Sequence, residues 1–379
     1  MIRKALIAAT AGVFLATATF NISSGQDRPR NNRTQGQQQQ GQQPQGQQSQ
    51  DERPRGERPQ NARPPVAPGE GQQVPKPAGR NAARIMTYNI ENWRNTFAPR
   101  KVMMTTQPGL PQNVVEVLDN ARRKADEENW EAARTVMDVQ PDIWVFQEGC
   151  DADDLNYFNT QFLGGYFETV HIFKTNTERG QNTGILCRPG FKVLEFREDY
   201  HDEPDPKDEN PIFDKLFARG PGFAKIQSPS GTQFWVGTNH GKSKSGNSVA
   251  VTKWRNAEAR RTNEIINELS AKGPKHVFFL GDMNDELGTQ EFEQEAGGSA
   301  IEMIAGKGKG ELEILTRKLS ESGAISFGGY RSSRYRSFID HAFATPDAAK
   351  WVKNVSVFKG DLADVASDHY PVYFDITMP

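Results

Sequence analysis

Cysteine is scarce in this 379-residue sequence, which contains only Cys150 and Cys187. Neither residue has a partner at the spacing of a metal-binding or redox pair, so the sequence gives no support for a thiol-based centre. In an exported protein the two cysteines can form one disulfide, and two unpaired buried thiols agree with the sequence equally well.

Large apolar residues are almost missing between residues 25 and 81, where Gln, Arg, Pro, Gly and Asn dominate. Such a segment cannot bury enough apolar surface to offset the entropy that is lost on ordering the chain. We therefore predict that residues 25–81 form a disordered tether. The composition becomes that of a folded protein afterwards, which predicts one large domain over residues 82–379.

Only one apolar run approaches the length of a membrane span, and Ala5–Phe20 is too short to cross comfortably. Arg3 and Lys4 precede the run, and Ala16-Thr17-Ala18 supplies a small-x-small cleavage site. This pattern predicts a signal peptide over residues 1–24, with an uncleaved membrane anchor as the alternative. We expect an exported protein, periplasmic or extracellular, that is monomeric and has no transmembrane segment in its mature chain.

An excess of positive charge is also missing from the predicted domain. Residues 1–80 carry a net charge of +6 and the whole chain carries −2, which leaves −8 for residues 81–379. A long basic groove for nucleic acid is therefore not indicated, and the charge weakens the choice of a nuclease a little.

Short apolar strands alternate with helical patterns through the predicted domain, which favours an α/β fold with sheets covered by helices. The predicted helices are 112–139 and 254–271. In the second helix, Arg255 is expected to be exposed. A Gly-rich connection is predicted over 297–310. The predicted strands are 83–90, 142–147, 183–187, 191–196, 223–227, 234–239, 276–280, 337–344 and 370–376.

Polar side chains recur at the ends of these strands, where a sheet presents them to a cleft. Each one alone is equally well explained as a turn residue or a helix cap. Six such strand ends in one domain point instead to a shared site. The residues are Asn89, Glu148, His240, Asp282, Asn284, Asp340, Asp368 and His369.

This ordered set resembles the signature of the endonuclease/exonuclease/phosphatase superfamily, and the resemblance extends over residues 83–379. Its most specific parts are Gly281-Asp282-Met283-Asn284 and Ser367-Asp368-His369-Tyr370-Pro371. The resemblance implies a four-layer α-β-β-α sandwich, with two mixed sheets packed face to face and the site where the loops of both sheets meet. It is closest to extracellular bacterial nucleases and phosphodiesterases.

The resemblance also implies a metal-dependent hydrolysis of a phosphate ester. A hard cation neutralises the anionic phosphate, and Mg²⁺ prefers carboxylate and amide oxygens, with Mn²⁺ as a possible substitute. We expect Glu148 to be the main metal ligand, with Asn89 and Asp368 beside it. Zinc is disfavoured because the set is rich in oxygen and lacks a Cys/His ligand pattern.

The remaining residues of the set are assigned to catalysis. We expect Asp282 to act as a general base or to orient the attacking water, and Asn284 to hold that water or a phosphate oxygen. His240 and His369 are expected to donate hydrogen bonds to the phosphoryl oxygens, and Asp340 to keep His369 protonated, as similar carboxylates do in relatives.

Three further residues are candidates for substrate binding. Arg179 and Asn182 lie where relatives supply phosphate-contacting side chains, although a hairpin turn explains them equally well. Lys242 lies in Gly241-Lys242-Ser243-Lys244, where relatives often have Leu in place of Gly241. A solvated basic loop is the alternative for Lys242.

The substrate predicted from these features is a phosphodiester, possibly a nucleic acid. A phosphatase or phospholipase C-type enzyme acting on a small or lipid phosphate is the second hypothesis. A noncatalytic binding module on a tether is the third, and it is disfavoured because every residue of the site pattern is present.

Overall fold

The computed structural model of the chain describes residues 74–76, 78–91, 112–149, 151–177, 181–205, 214–244, 249–289, 291–306, 311–328 and 335–379. All of them belong to one compact unit, residues 57–379. The predicted signal peptide, most of the predicted tether, Arg179 and Cys150 lie outside the described residues.

Two mixed sheets of six strands form the centre of this unit. The first has the order β11-β12-β1-β2-β4-β3 and the second the order β5-β6-β7-β8-β10-β9. The strands are β1 (Ala82–Asn89), β2 (Ile143–Gly149), β3 (Thr169–Ile172), β4 (Asn182–Cys187), β5 (Lys192–Arg197), β6 (Gly222–Gln227), β7 (Gln233–Thr238), β8 (Val277–Asp282), β9 (Glu313–Ile314), β10 (Asp340–Ala344), β11 (Val352–Val357) and β12 (Val372–Thr377).

Helices cover both outer faces of the sheet pair. They are α1 (Gln112–Val139), α2 (Ala152–Gln161), α3 (Val249–Lys272), α4 (Ala300–Ala305), α5 (Arg317–Glu321), α6 (Pro346–Ala349) and α7 (Ala363–Ala366). None of the helices in the described part of the chain is long and apolar enough to cross a membrane.

Successive side chains of a strand point to opposite faces of its sheet, and the buried residues therefore form three separate cores. In β1, Ile85 faces the second sheet, whereas Met86 and Tyr88 face α1 and α2. In the second sheet, Phe278 joins the core between the sheets and Phe279 packs against α3 and α4. Because side chains alternate between the faces of a strand, each sheet contributes to two cores. The result is the predicted sandwich of two sheets between outer helices.

The Gly-rich segment predicted over 297–310 contains a helix, so its assignment as a simple connection is wrong in part. Ser299 accepts a hydrogen bond from the backbone N–H of Ile301, and helix α4 begins at Ala300. The helix ends at Gly306, whose φ of 72° lies in the left-handed region that favours glycine.

The chain also packs against the domain ahead of β1. The guanidinium of Arg84, fully buried in β1, donates to the carbonyl oxygens of Val74 at 3.2 Å and Pro75 at 2.6 Å. The same group forms an ion pair with Asp375 of β12. The end of the segment that was predicted to be tether therefore lies against the fold.

Candidate active site

The ends of strands from both sheets meet at one edge of the sandwich. Asn89 ends β1 and lies opposite Gln147 of the parallel strand β2, so Glu148 follows immediately beside it. In the second sheet, His240 forms a parallel bridge with Asp282 at the end of β8, and Asp340 pairs with Asp282 from the antiparallel strand β10.

Two of the site residues have left-handed backbone conformations. Glu148 has a φ of 58° and Asn284 a φ of 50°, which is uncommon for residues other than glycine. In an extended segment Asp282 and Asn284, two residues apart, would project to the same side, but the backbone at Asn284 is not extended. A tight turn directs Asn284 instead, and its backbone N–H donates to Asp282 Oδ1 at 2.8 Å.

The buried carboxylate of Asp282 lies at the centre of the site. Its Oδ2 accepts a hydrogen bond from Asn89 Nδ2 at 2.9 Å and lies 3.3 Å from His240 Nε2 and 3.7 Å from His369 Nε2. Burial opposes ionisation, but the two histidines and the Asn284 N–H outweigh it and hold the pKa of Asp282 below its usual range. The carboxylate is therefore a weak proton acceptor, which favours orienting the water over general-base catalysis.

His369 is held as a cation between two carboxylates. Its Nδ1 lies 2.8 Å from Asp340 Oδ2, and its Nε2 faces Asp282. Burial alone would lower the pKa of His369, but the negative charges of Asp340 and Asp282 raise it to about 10. A protonated ring can donate from both nitrogen atoms.

His240 has the opposite electrostatic character. It is almost completely buried, and burial together with the nearby guanidinium of Arg219 lowers its pKa despite the carboxylates of Asp282 and Glu148. A neutral ring can still donate one hydrogen bond from Nε2 towards Asp282. The two histidines, which were expected to act alike, therefore differ in charge.

Glu148 and Asp368 lie beside this core of charges and fit a divalent cation. Glu148 Oε1 is 3.7 Å from His240 Nε2, and Asp368 Oδ1 is 3.8 Å from His369 Nε2. Burial, with the carboxylates of Glu148 and Asp282, raises the pKa of Asp368. This crowding of acidic oxygens is relieved by a hard cation, which prefers such ligands.

Asp282, Asp340 and His369 also bring ligand atoms within 4.8 Å of one another. This second group is a poor metal site because a protonated histidine offers no lone pair to a metal. Its positive charge already balances one of the two carboxylates. The carboxylates of Glu148 and Asp368 therefore remain as the candidates for metal ligands.

The side chain of Asn89 does not have the orientation that was expected of an oxygen ligand. Its Nδ2 donates to Asp282, and its Oδ1 accepts the backbone N–H of Glu91 at 3.0 Å. In this orientation the side chain of Asn89 fixes Asp282 and directs its own oxygen towards the backbone.

The backbone of Gly241 is hydrogen-bonded to the turn that carries Asp282 and Asn284. Its N–H donates to the carbonyl of Asp282 at 2.8 Å, and its carbonyl accepts Asn284 Nδ2 at 3.1 Å. A Cβ atom at this position would lie 2.6 Å from the carbonyl oxygen of Met283, so no larger residue fits without moving the backbone. This contact explains why the leucine common in relatives is replaced by glycine.

The described residues predicted to bind substrate lie at the margin of the site. Asn182 pairs with Gly149 at the end of β4, and its Oδ1 accepts the Thr175 hydroxyl at 3.0 Å. The Lys242 ammonium lies 5.5 Å from the ring centroid of Trp254, a residue of helix α3.

Arg219 is a site residue that the sequence analysis missed. Its buried guanidinium donates to the Gly241 carbonyl at 2.6 Å and to Gln181 Oε1 at 3.4 Å. Its position immediately beside His240 brings a permanent positive charge to the edge of the sandwich where the site residues meet. The only sequence signal is a charged residue between Phe217-Ala218 and the apolar strand β6.

The expectation that Arg255 is exposed on its helix is wrong. Its side chain is 2% exposed and forms an ion pair with Glu293 at 3.2 Å, with Asp285 also close at 3.8 Å. Lys244 contacts the same two carboxylates, at 2.7 Å from Asp285 and 3.2 Å from Glu293. This network braces the turn that follows Asp282 and Asn284.

Comparisons with known proteins agree with the fold. The model of the endonuclease/exonuclease/phosphatase family matches residues 111–369. No match was found among the curated proteins.

Solved structures share the fold at low sequence identity. An endonuclease/exonuclease/phosphatase family protein from Bacteroides thetaiotaomicron is 15% identical, with a TM-score of 0.51 over 79% of this chain and 95% of its own. Truncated TDP2 from Caenorhabditis elegans is 13% identical, with a TM-score of 0.50 over 78% and 98%. An endonuclease/exonuclease/phosphatase from Beutenbergia cavernae is 16% identical, with a TM-score of 0.50 over 79% and 72%.

Proposed function

This chain belongs to the endonuclease/exonuclease/phosphatase family and is a metal-dependent phosphoesterase, and we propose that it hydrolyses phosphodiester bonds in the manner of a nuclease. The proposal rests on one observation above all. Asp282 lies between His240 and His369, at 3.3 Å and 3.7 Å from their Nε2 atoms, beside the acidic side chains of Glu148 and Asp368, which fit a divalent cation.

The charge of the site favours a diester over a monoester. Two cationic side chains face four acidic ones, and one divalent ion would balance the remaining two negative charges. A phosphodiester adds a single negative charge to this balanced site, whereas a monoester adds up to two near neutral pH. The groups counted are Arg219, His369, Glu148, Asp282, Asp340 and Asp368.

Each residue has a defined task in this proposal. Mg²⁺ bound by Glu148 and Asp368 would neutralise phosphate charge. Asp282 accepts a hydrogen bond from the attacking water and aligns it with phosphorus, because its low pKa makes it a poor sink for the proton. As the new P–O bond forms and the bond to the leaving oxygen breaks, one proton of that water passes through solvent to the leaving oxygen. His369 donates a hydrogen bond to a nonbridging oxygen as negative charge develops there.

The test is the activity of residues 74–379 on DNA, RNA, a bis-aryl phosphodiester, sphingomyelin and inositol phosphates. We expect hydrolysis of the diester and of at least one nucleic acid, loss of activity in EDTA, and recovery with Mg²⁺ or Mn²⁺. Glu148→Gln should weaken the metal dependence most, because it removes a charged ligand from a hard cation. Hydrolysis of inositol phosphates alone would contradict the diester proposal, and full activity of metal-free protein would contradict the metal site.

Export is a further part of the proposal, supported by the basic pair, the apolar run and the small-x-small site at the N-terminus. N-terminal sequencing of the protein recovered from its producing cell is the test. Recovery of an intact N-terminus from the cytoplasmic fraction would contradict export.

A further inference from the structure

Two backbone segments that carry site residues run side by side behind the cleft. The backbone N–H of His240 donates to the carbonyl of Arg219 at 3.2 Å, and the Arg219 guanidinium reaches across to the Gly241 carbonyl at 2.6 Å. The relative position of these segments therefore determines where the Arg219 charge and the His240 ring lie.

One carboxylate on helix α3 bridges the two segments from the outside. Glu258 is 1% exposed. Its Oε1 accepts the backbone N–H of Ala218 at 3.2 Å, and its Oε2 accepts the backbone N–H of Lys242 at 3.0 Å. Ala218 directly precedes Arg219, and Lys242 is two residues after His240, so each oxygen of Glu258 holds one segment.

The rest of helix α3 makes this bridge rigid. Trp254, one turn earlier on α3, donates from Nε1 to the carbonyl of Leu216 at 2.8 Å and fixes the chain ahead of Ala218. On its other side, Asn256 donates to the carbonyl oxygens of Ala296 and Gly298, which lie in a turn away from the cleft.

Burying an ionised carboxylate is unfavourable unless hydrogen bonds or opposite charges stabilise it. Burial raises the pKa of Glu258 to about 7, while the two backbone N–H groups and the charges of Arg219 and Lys242 oppose the increase. A glutamine side chain, which has the same shape but is neutral, cannot accept hydrogen bonds from the backbone N–H groups of both segments. The charge of Glu258 also partly balances the buried guanidinium of Arg219.

We propose that Glu258 is a positioning residue of the active site, whose two oxygens set the distance between the segment of Arg219 and the segment of His240. The inference rests on the proposed function, because it assigns the purpose of the bridge to holding a phosphate group. Glu258 itself has no contact with that group.

The experiment compares Glu258→Gln with Asn256→Ala, a matched control on the same helix that also loses buried bonds to backbone. The amide of Gln keeps one acceptor but places an N–H₂ group against the second backbone N–H. We expect kcat on the bis-aryl phosphodiester to fall about tenfold or more in Glu258→Gln, since small misplacements of catalytic groups cost up to about a hundredfold. Asn256→Ala should lower Tm and leave kcat and KM unchanged.

A second measurement is independent of turnover. Inorganic phosphate should bind to the wild-type protein in isothermal titration, and Glu258→Gln should weaken its Kd several-fold while Asn256→Ala leaves it unchanged. If the wild type hydrolyses no phosphoester, the proposed function fails and this Kd alone decides the positioning role.

Three outcomes would overturn the positioning role. They are wild-type kcat in Glu258→Gln, losses in Glu258→Gln that match those in Asn256→Ala, and the absence of phosphate binding to the wild type. If Glu258→Gln does not fold, Glu258→Ala takes its place. If both variants fail to fold, Glu258 serves the fold as a whole and the inference is also overturned.

Discussion

Two histidines contact the same carboxylate, yet they carry different charges. His369 has Asp340 on its far side, whereas His240 has the guanidinium of Arg219 nearby. The difference follows from the second neighbour of each ring, because Asp282 is common to both. It assigns the stronger hydrogen-bond donor, the imidazolium, to His369.

Asp282→Asn and His369→Ala test these assignments directly. Asp282→Asn keeps the shape but removes the charge that aligns the water, and His369→Ala removes a cationic donor. We expect each to lower kcat by about 10²-fold or more and to change substrate affinity much less. Asp347→Asn and His276→Ala, at an exposed carboxylate and an outlying histidine, are the matched controls. Single-turnover rates near the wild-type value in both site variants would contradict the mechanism.

Asp340→Asn tests the charge of His369 through its pH dependence. A histidine with a raised pKa is protonated below that pKa, so its contribution to activity is complete at neutral pH and is lost as pH rises towards about 10. Removing the Asp340 charge lowers the pKa of His369. The alkaline loss of kcat should therefore move to lower pH in Asp340→Asn. An unchanged alkaline limb in this variant would show that Asp340 does not hold the proton.

At the level of elements, a buried side chain connects the two sheets directly under the site. Gln147 of β2 accepts from the Thr87 hydroxyl of β1 at 3.1 Å and donates to the Thr238 hydroxyl of β7 at 2.9 Å. All three side chains are fully buried. This relay crosses the otherwise apolar core between the sheets one layer below the catalytic residues.

Gln147→Leu should destabilise the fold because it leaves two buried hydroxyl groups without this partner. We expect the free energy of unfolding to fall by about 2–4 kcal/mol, since each unsatisfied buried group costs about 1–3 kcal/mol. The combined variant Thr87→Val, Gln147→Leu and Thr238→Val should regain part of that loss, because no unpaired group remains. Chemical denaturation of both variants is the measurement. A combined variant that is less stable than Gln147→Leu alone would contradict the relay.

The sequence was sufficient to predict the elements that bear the site. Apolar runs that end in Asn89, Glu148 or Asp282 predict strands. The apolar run and the polar residue that ends it can both be read from the local sequence. Helix α4 was missed because Gly297 and Gly298 precede it and resemble a loop, whereas the signal for its start is the single cap Ser299.

Residues whose role depends on distant partners could not be predicted. Arg255 has the spacing of an exposed helical residue, and its burial depends on Glu293, which lies 38 residues later. Arg219 is adjacent to His240 only because two segments of the second sheet pair there. The left-handed backbone at Glu148 likewise has no signal in the residue type, whereas Asn, present at 284, adopts this conformation more readily than most residues.

At the scale of the whole molecule, the packing of residues 74–76 changes where the domain can be shortened. The sequence-based prediction places the boundary between tether and domain after residue 81, which leaves residues 74–76 outside the domain. Lys76 forms an ion pair with Asp142 at 2.6 Å, and Arg84 donates to two carbonyl groups of the same segment.

A chain beginning at Asn81 should therefore be less stable than one beginning at Val74. We expect a difference of about 2 kcal/mol in the free energy of unfolding, because the buried Arg84 loses two acceptors. Turnover of a small substrate at a temperature where both chains are folded should be the same. Equal Tm values for the two chains would show that the 74–76 contacts contribute nothing to stability.

Strand β1 separates the Arg84 contacts from the candidate active site. Arg84 lies near its beginning and Asn89 at its end, five residues and about 17 Å further along at about 3.3 Å per residue. A fluorophore, a bead or an affinity tag joined at Val74 would therefore sit at the base of the molecule, with the catalytic cleft facing outward. The enzyme can then be immobilised by its N-terminal side and still receive its substrate from solution.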